Sequence, residues 1–283
     1  MKTWLITGAS TGLGRGIAEA VLQAGDQAVV TARSASRVAD FEDRYPGRVL
    51  ACNLEVTDPK QHREVVAQAL ECFGKIDVLV NNAGRGHFGS VESSSEQDIR
   101  DLFELNFFGQ VGMIRQVLPS MREAGSGLII NVFSMGVIFE GSTGNAYYIA
   151  SKLALEGFSE VLTNEVKPLG IDAMIVEPGS FRTEFRVAAS GDLGRENPAY
   201  DKMVKSSREF LREHPYDQLG DPAKVEKAIY QAVQETVLPK VLVLGKGMIE
   251  AAQKKLADRS AEVAKWRDLA ESTDFWSINA CTQ

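Results

Sequence analysis

The chain has 283 residues, 31 basic and 38 acidic, for a formal charge of −7; a chain of this length buries roughly 70–75% of its unfolded surface, so a large core needs no staples. Its 44% hydrophobic and 24% charged content is ordinary for a globular protein, and the acidic balance argues against a nucleic-acid or anionic-membrane surface. With no long apolar run, an apolar N-terminal stretch too short for a signal peptide, three scattered cysteines (Cys52, Cys72, Cys281) and three distant histidines (His62, His87, His214), the expectation is a reduced, cytoplasmic protein with neither membrane span, disulfide framework nor metal site.

The first β-rich run, Thr3–Thr7, leads into Gly8-Ala9-Ser10-Thr11-Gly12-Leu13-Gly14. Glycines there let the chain turn tightly and let a phosphate approach the backbone, and a helix predicted over 13–24 offers unpaired N–H groups behind them. The spacing is neither GxxxxGK[ST] nor GxGxxG, because Ile17 stands three residues after Gly14. Two readings stay open from these residues: a phosphate cradle, or glycines that merely allow close helix–strand packing.

The second run, Gln27–Thr31, ends in Ala32-Arg33, with Arg37 one turn later. An acidic residue at this point accepts hydrogen bonds from an adenosine ribose; arginine clamps a phosphate instead. Arg33 reads either as a solvated surface charge or, the reading its position favours, as the clamp of a 2′-phosphate, and so NADP(H) is expected in preference to NAD(H). A helix is predicted over 35–44. The third run, Arg48–Cys52, continues into Asn53-Leu54-Glu55, and Asp58-Pro59 reads as the N-cap and first residue of a helix over 58–73. The fourth run, Asp77–Val80, ends in Asn81-Asn82-Ala83-Gly84. A long helix is predicted over 95–122, opened by Ser94/Ser95 and acidic residues and kinked or ended by Pro119. Within it Asn106 sits among Phe103, Leu105, Phe107 and Phe108, where a buried amide needs partners.

The fifth run, Gly127–Val132, precedes Ser134, and a helix over 145–167 carries Tyr148 and Lys152. At i and i+4 the phenol and the ammonium share one helix face, which continues through Leu155 and Leu162. A nearby cation favours the phenolate, so Lys152 and an oxidised nicotinamide ring together are expected to lower the Tyr148 pKa. The sixth run, Ile171–Val176, turns at Glu177-Pro178-Gly179-Ser180-Phe181-Arg182-Thr183. The weakly patterned stretch 183–221 predicts a substrate lid, placed as it is beyond a strand's carboxyl end. A helix over 222–236, a seventh run Lys240–Leu244 and a helix over Gly247–Leu269 complete the chain. Gly25 and Gly170 stand where glycines end helices. The alternation predicts an α/β, doubly wound, mostly parallel sheet with right-handed crossovers. Residues 1–245 read as one catalytic domain and 246–283 as a helical extension of it.

Taken jointly and in this order, TGASTGLG, NNAG, Asn106, Ser134, Tyr148-x-x-x-Lys152 and PGSFRT resemble the short-chain dehydrogenase/reductase family, over residues 3–183 and, with the seventh strand, to about 245. The long C-terminal extension looks most similar to bacterial members akin to 17β-hydroxysteroid dehydrogenases. The resemblance implies a Rossmann-like seven-stranded sheet, a nicotinamide cofactor and a small-molecule carbonyl or alcohol substrate. It further implies a homodimer or homotetramer. By that resemblance Gly8, Ser10, Thr11, Gly12, Leu13 and Gly14 bind the cofactor, as do Arg33, Asn53, Leu54 and Glu55. Asn81, Ala83, Gly84, Tyr148, Lys152, Pro178, Gly179, Phe181 and Thr183 complete that set. Asn106, Ser134, Tyr148 and Lys152 are the implied catalytic residues. The sequence departs from the family pattern at Thr11, where NADP-preferring members often carry a basic residue, and at Glu55, where Asp is usual.

The expected activity is reversible hydride transfer between NADP(H) and a carbonyl/alcohol pair. A non-catalytic NADP-sensing protein and a sugar-nucleotide epimerase or dehydratase are the alternatives. Intact Ser134, Tyr148 and Lys152 count against the first, and the glycine spacing counts against the second. Phe88, Phe139, Phe181 and Phe185 are the candidate walls of an apolar substrate pocket. Arg85 and Glu140 are the candidate contacts of a polar substrate.

Overall fold

The computed structural model describes residues 1–134, 143–185, 197–214 and 216–274. Phe139, Glu140, part of the predicted lid and Cys281 lie outside the described residues. Seven parallel strands form one sheet in the order β3-β2-β1-β4-β5-β6-β7. The strands are β1 (Thr3–Ile6), β2 (Gln27–Ala32), β3 (Val49–Asn53), β4 (Val78–Asn81), β5 (Gly127–Val132), β6 (Ile171–Pro178) and β7 (Val241–Leu244). Strand order reverses between β1 and β4, which opens a crevice at their carboxyl ends.

Side chains alternate across the pleat, so each register row belongs to one face. Leu5 pairs with Val29 on one side and Leu79 on the other, and Leu79 pairs with Ile129. This row packs on Val65, Met113, Ile114, Val117 and Leu162 from the helices α3 (Pro59–Phe73), α5 (Gly109–Ala124) and α6 (Ala146–Val166). The next row, Val30, Ile6, Val80 and Ile130, faces the other way. It meets Ile17 and Val21 of α1 (Gly12–Gln23) and Ile229 and Val233 of the later helix Pro222–Gln234. Burial on both faces explains why these strands read as continuous apolar runs. Each such side chain contributes about 1.5–3 kcal/mol by leaving water.

The helix punctuation follows the chemistry of the caps. The Asp58 side chain accepts from the Lys60 N–H at 2.9 Å, with Pro59 in the first turn of α3. Ser95 accepts from the Asp98 N–H at 3.1 Å and caps α4 (Glu96–Phe103). Gly25 and Gly170 have φ of 94° and 77°, in the left-handed region.

Four expectations change. The predicted helix over 35–44 is a 3₁₀ turn at Ala35–Arg37 followed by a short α2 (Asp40–Arg44). The long helix over 95–122 is α4, one π-type turn at Glu104–Phe108, and α5. Pro119 does not end α5, which runs on to Ala124; only one backbone bond is lost there, close to the helix end. The predicted lid contains a helix, α7 (Pro198–Glu213), capped by Asn197, whose side chain accepts from the Ala199 N–H. It is followed by α8 (Pro222–Gln234), and after β7 come α9 (Met248–Ala264) and α10 (Arg267–Glu271). Among the described residues no helix is long and apolar enough to cross a membrane.

Candidate active site

The crevice floor is the glycine loop. Gly8 and Gly12 have φ of 67° and 56°, which a side chain rarely adopts. At Gly14 an added Cβ would lie 2.4 Å from the Gly8 carbonyl oxygen and 2.3 Å from Asn82 Nδ2, so the tight turn excludes any larger residue. Thr11 precedes α1 without a side-chain cap, and α1 has no acidic residue in its first turn. By contrast α3, α4, α7 and α8 each begin with a side-chain acceptor. The first N–H groups of α1, which face the glycine turn, therefore have no side-chain acceptor, as is also the case at α6 and α9. Ser10 and Leu13 are half-buried, Leu13 against the core.

Thr7 joins this loop to the end of β4. Its hydroxyl accepts from the N–H groups of Asn82 and Ala83 at 2.9 and 3.0 Å. Asn82 Nδ2 donates to Thr7 O and Gly8 O at 3.0 and 3.2 Å. Asn81, the residue expected beside the cofactor, turns its amide into the sheet instead, donating to Asn131 Oδ1 at 2.9 Å and Gln110 O at 3.2 Å. Period-two alternation puts neighbouring side chains on opposite faces, so only one of the two asparagines can reach the loop. Gln110 Nε2 in turn donates to Ala83 O at 2.7 Å.

Arg33 is exposed at the end of β2, and no hydrogen bond or ion pair holds it among the described residues. Arg15, the other cation near the loop, is paired with Asp40 and stacks over Phe41 at 4.6 Å. Asn53 Oδ1 accepts from the Ala35 N–H at 2.7 Å and braces the turn that presents Arg33, while Leu54 is buried. Glu55 turns one carboxylate oxygen to the Thr57 N–H and hydroxyl, at 3.2 and 3.0 Å. The longer arm expected to reach an adenine thus folds back on its own turn.

On the other side, Pro178 ends β6 and the Gly179 N–H donates to Leu244 O at 2.8 Å. Thr183 comes back to the glycine loop: a Cβ on Gly12 would lie 3.5 Å from Thr183 Cβ. Phe181, expected at the cofactor or in the pocket, pairs with Gly220 and packs on the core beside Gly245. That packing needs glycine at 220, where a Cβ would lie 2.2 Å from the ring.

Tyr148 and Lys152 lie on the buried face of α6 with Leu155 and Leu162. Tyr148 is hydrogen-bonded to Ser134, which follows β5. Lys152 Nζ donates to Val132 O at 2.9 Å. Tyr147 points away, its hydroxyl donating to Val91 O at 3.0 Å. Burial pushes the Tyr148 phenol up to about 12 and the Lys152 ammonium down to about 8. Desolvation opposes both charges, and only the Ser134 hydrogen bond counters it at Tyr148.

Asn106 sits fully buried in the π-type turn. Its Oδ1 accepts from the Arg85 N–H at 3.0 Å; its Nδ2 donates to Arg85 O at 2.9 Å and Ser151 Oγ at 3.1 Å. The amide is satisfied, which avoids the roughly 1–3 kcal/mol an orphaned one costs. The wider turn re-aims this one side chain out of the regular helix. A Cβ on exposed Gly84 would lie 3.1 Å from Asn106 Oδ1 and 3.5 Å from Lys152 Nζ, so both polar atoms border the same small gap. Sequence reading missed Ser151, Thr7 and Asn82. Ser151 was visible beside Lys152, but nothing local showed its tie to Asn106.

A doubly wound sheet with an uncapped helix and a glycine turn at its switch point defines a dinucleotide-binding α/β protein. Residues 2–193 match the family model described as short chain dehydrogenase. Oxidoreductase BOA17 of Botryotinia fuckeliana (strain B05.10) is 35% identical over 270 residues, 95% of this chain and 98% of that protein. The crystal structure of a short-chain dehydrogenase from Streptomyces avermitilis is 41% identical, with a TM-score of 0.87 over 97% of this chain and 100% of that one. An alcohol dehydrogenase from the archaeon Thermococcus sibiricus, complexed with 5-hydroxy-NADP, is 25% identical with a TM-score of 0.70, over 86% of this chain and 96% of that one. The chain belongs to the short-chain dehydrogenase/reductase family, and the curated relative that it matches along nearly its whole length is an oxidoreductase.

Proposed function

We propose that this protein is an NADP(H)-dependent oxidoreductase that interconverts a carbonyl compound and a secondary alcohol, with Ser134, Tyr148, Lys152 and Asn106 as its catalytic residues. The observation that carries this is the hydrogen bond between Ser134 and Tyr148, with Lys152 on the same helix face below it. The residues present suit a dinucleotide: the gap between Gly12 and Thr183 is one a Cβ would narrow, and the α1 N-terminus has no capping side chain.

Gly8, Ser10, Thr11, Gly12, Leu13 and Gly14 would hold the pyrophosphate, Arg33 the 2′-phosphate, and Asn53, Leu54 and Glu55 the adenine side. Asn81, Ala83 and Gly84 border the ribose side through the β4 end, and Pro178, Gly179, Phe181 and Thr183 form the segment beside the nicotinamide. The cofactor, when bound, supplies or accepts the hydride.

Tyr148, with its phenol pushed up to about 12, carries its proton at neutral pH. It is therefore the group that donates to a carbonyl oxygen in reduction. Ser134 hydrogen-bonds that oxygen and positions it. Lys152 binds the ribose hydroxyls. Asn106 orients a water in the gap beside Gly84, through which a proton reaches Tyr148 in reduction and leaves it in oxidation. The Thermococcus enzyme's 5-hydroxy-NADP supports the choice of NADP, together with unpaired Arg33. NADPH consumption with ketones and aldehydes, and NADP reduction with secondary alcohols, tests the assignment. Tight nucleotide binding without turnover on either panel would overturn it in favour of a sensing role.

A further inference from the structure

The four residues after Phe181 divide their attention sharply. Arg182 Nε donates to Gln218 O at 2.6 Å. Thr183 faces the glycine loop. Glu184 accepts from the Tyr216 hydroxyl at 2.9 Å. Each polar side chain is thus tied to the loop or turned to the cofactor crevice. Phe185 alone meets Tyr148, its ring centroid 5.8 Å from the phenol and its plane tilted by 48°. It remains 41% exposed, so the ring rests on the phenol with its remaining surface toward solvent. Arg85, the polar candidate near the site, is drawn toward α4, its Nη2 donating to Asp98 O at 3.2 Å. Val91, 61% exposed, is held near the first turn of α6 by Tyr147 and adds further apolar surface there.

From this geometry we infer that Phe185 forms a wall of the substrate site and selects carbonyl compounds with a compact apolar ring, aryl or cycloalkyl, at or next to the carbonyl carbon. The inference rests on the reductase reading above. A substrate oxygen that reaches Tyr148 brings its nearest substituent against the Phe185 ring. An aromatic wall gains from apolar contact and ring stacking with that substituent. It offers nothing to a hydroxylated one, whose hydroxyls would lose water there without partners.

The test compares wild type, Phe185→Ala and Phe185→Leu in NADPH-dependent reduction of acetophenone, cyclohexanone and dihydroxyacetone. NADPH binding is measured in parallel by fluorescence. Wild type should prefer the two apolar ketones. In Phe185→Ala the ratio of kcat/KM for acetophenone over dihydroxyacetone should fall by about tenfold or more, chiefly through KM, as loss of pocket contact implies. Phe185→Leu should lie between. An unchanged ratio, or a wild type that prefers dihydroxyacetone, overturns the inference while leaving the reductase reading intact. A wild type that binds NADPH but reduces no carbonyl overturns both.

Discussion

Lys152 Nζ donates to the carbonyl oxygen of Val132 at 2.9 Å, two residues before Ser134. One contact thus ties the helix that carries the phenol to the strand that carries the serine. Because burial lowers Lys152 to about 8, the charged donor is present below that pH and fades above it. NADPH affinity should therefore weaken as pH rises through about 8. Fluorescence titration one unit either side checks this. Lys152→Met should bind NADPH more weakly and lose the pH step; a step that survives in the variant assigns it to another group.

Tyr148→Phe keeps the ring and its packing and removes only the proton. Turnover should fall by about 10²–10⁴, the usual worth of a general acid. Ser134→Ala removes one donor to the substrate oxygen and should cost about 10²–10³ in kcat. Both variants should bind NADPH within a factor of about ten of wild type, since a neutral contact contributes only about 0.5–1.5 kcal/mol. Initial rates beside equilibrium binding separate chemistry from cofactor affinity.

Arg33→Ala should lower the ratio of kcat/KM for NADPH over NADH by about 10–100-fold, matching a charge-assisted hydrogen bond of about 1.5–3 kcal/mol. Arg15→Ala should not produce that change in preference, because Arg15 is occupied by Asp40. An equal loss with both nucleotides in Arg33→Ala would place the arginine outside 2′-phosphate recognition.

Glu177 is 5% exposed at the end of β6, and its carboxyl is pushed up to about 7 by burial, with Glu156 adding like-charge repulsion. In this case the folded protein holds a proton that the unfolded chain releases near the ordinary value of 4.5. The associated stability is fully present below 4.5 and is lost as pH rises through about 7. Glu177→Gln should therefore raise Tm at pH values above 7 and change it little at acidic pH. In a protein of this size about 2–4 °C corresponds to each kcal/mol. Thermal melts on both sides of neutrality measure it; an equal shift at both pH values would mean a packing effect instead.

Much of the architecture is legible from short-range patterns. Asp58-Pro59, Ser95 and Gly170 mark helix ends because capping depends on a few adjacent residues. The apolar runs of β1, β2, β4, β5 and β6 identify strands because both sheet faces are covered there. The interrupted helix around Asn106 was not legible, since a π-type turn has the same apolar pattern as the helices beside it. Nor was the role of Pro119, because near the end of a helix a missing N–H costs little. Asn81 and Asn82 are equivalent as letters. Their division between sheet and glycine loop follows from which face of β4 each one occupies.

Spacing along the chain was enough to put Tyr148 and Lys152 on one helix face and to mark a glycine turn after β1, because both features span at most a few residues. Folding settled what spans dozens: that Ser134 reaches Tyr148, that Asn106 is held by Arg85 and Ser151, and that Thr183 returns to Gly12. It also set how deeply the phenol and the ammonium are buried: the ionisation of such a group depends on the water removed from around it, and that is a property of the packed molecule.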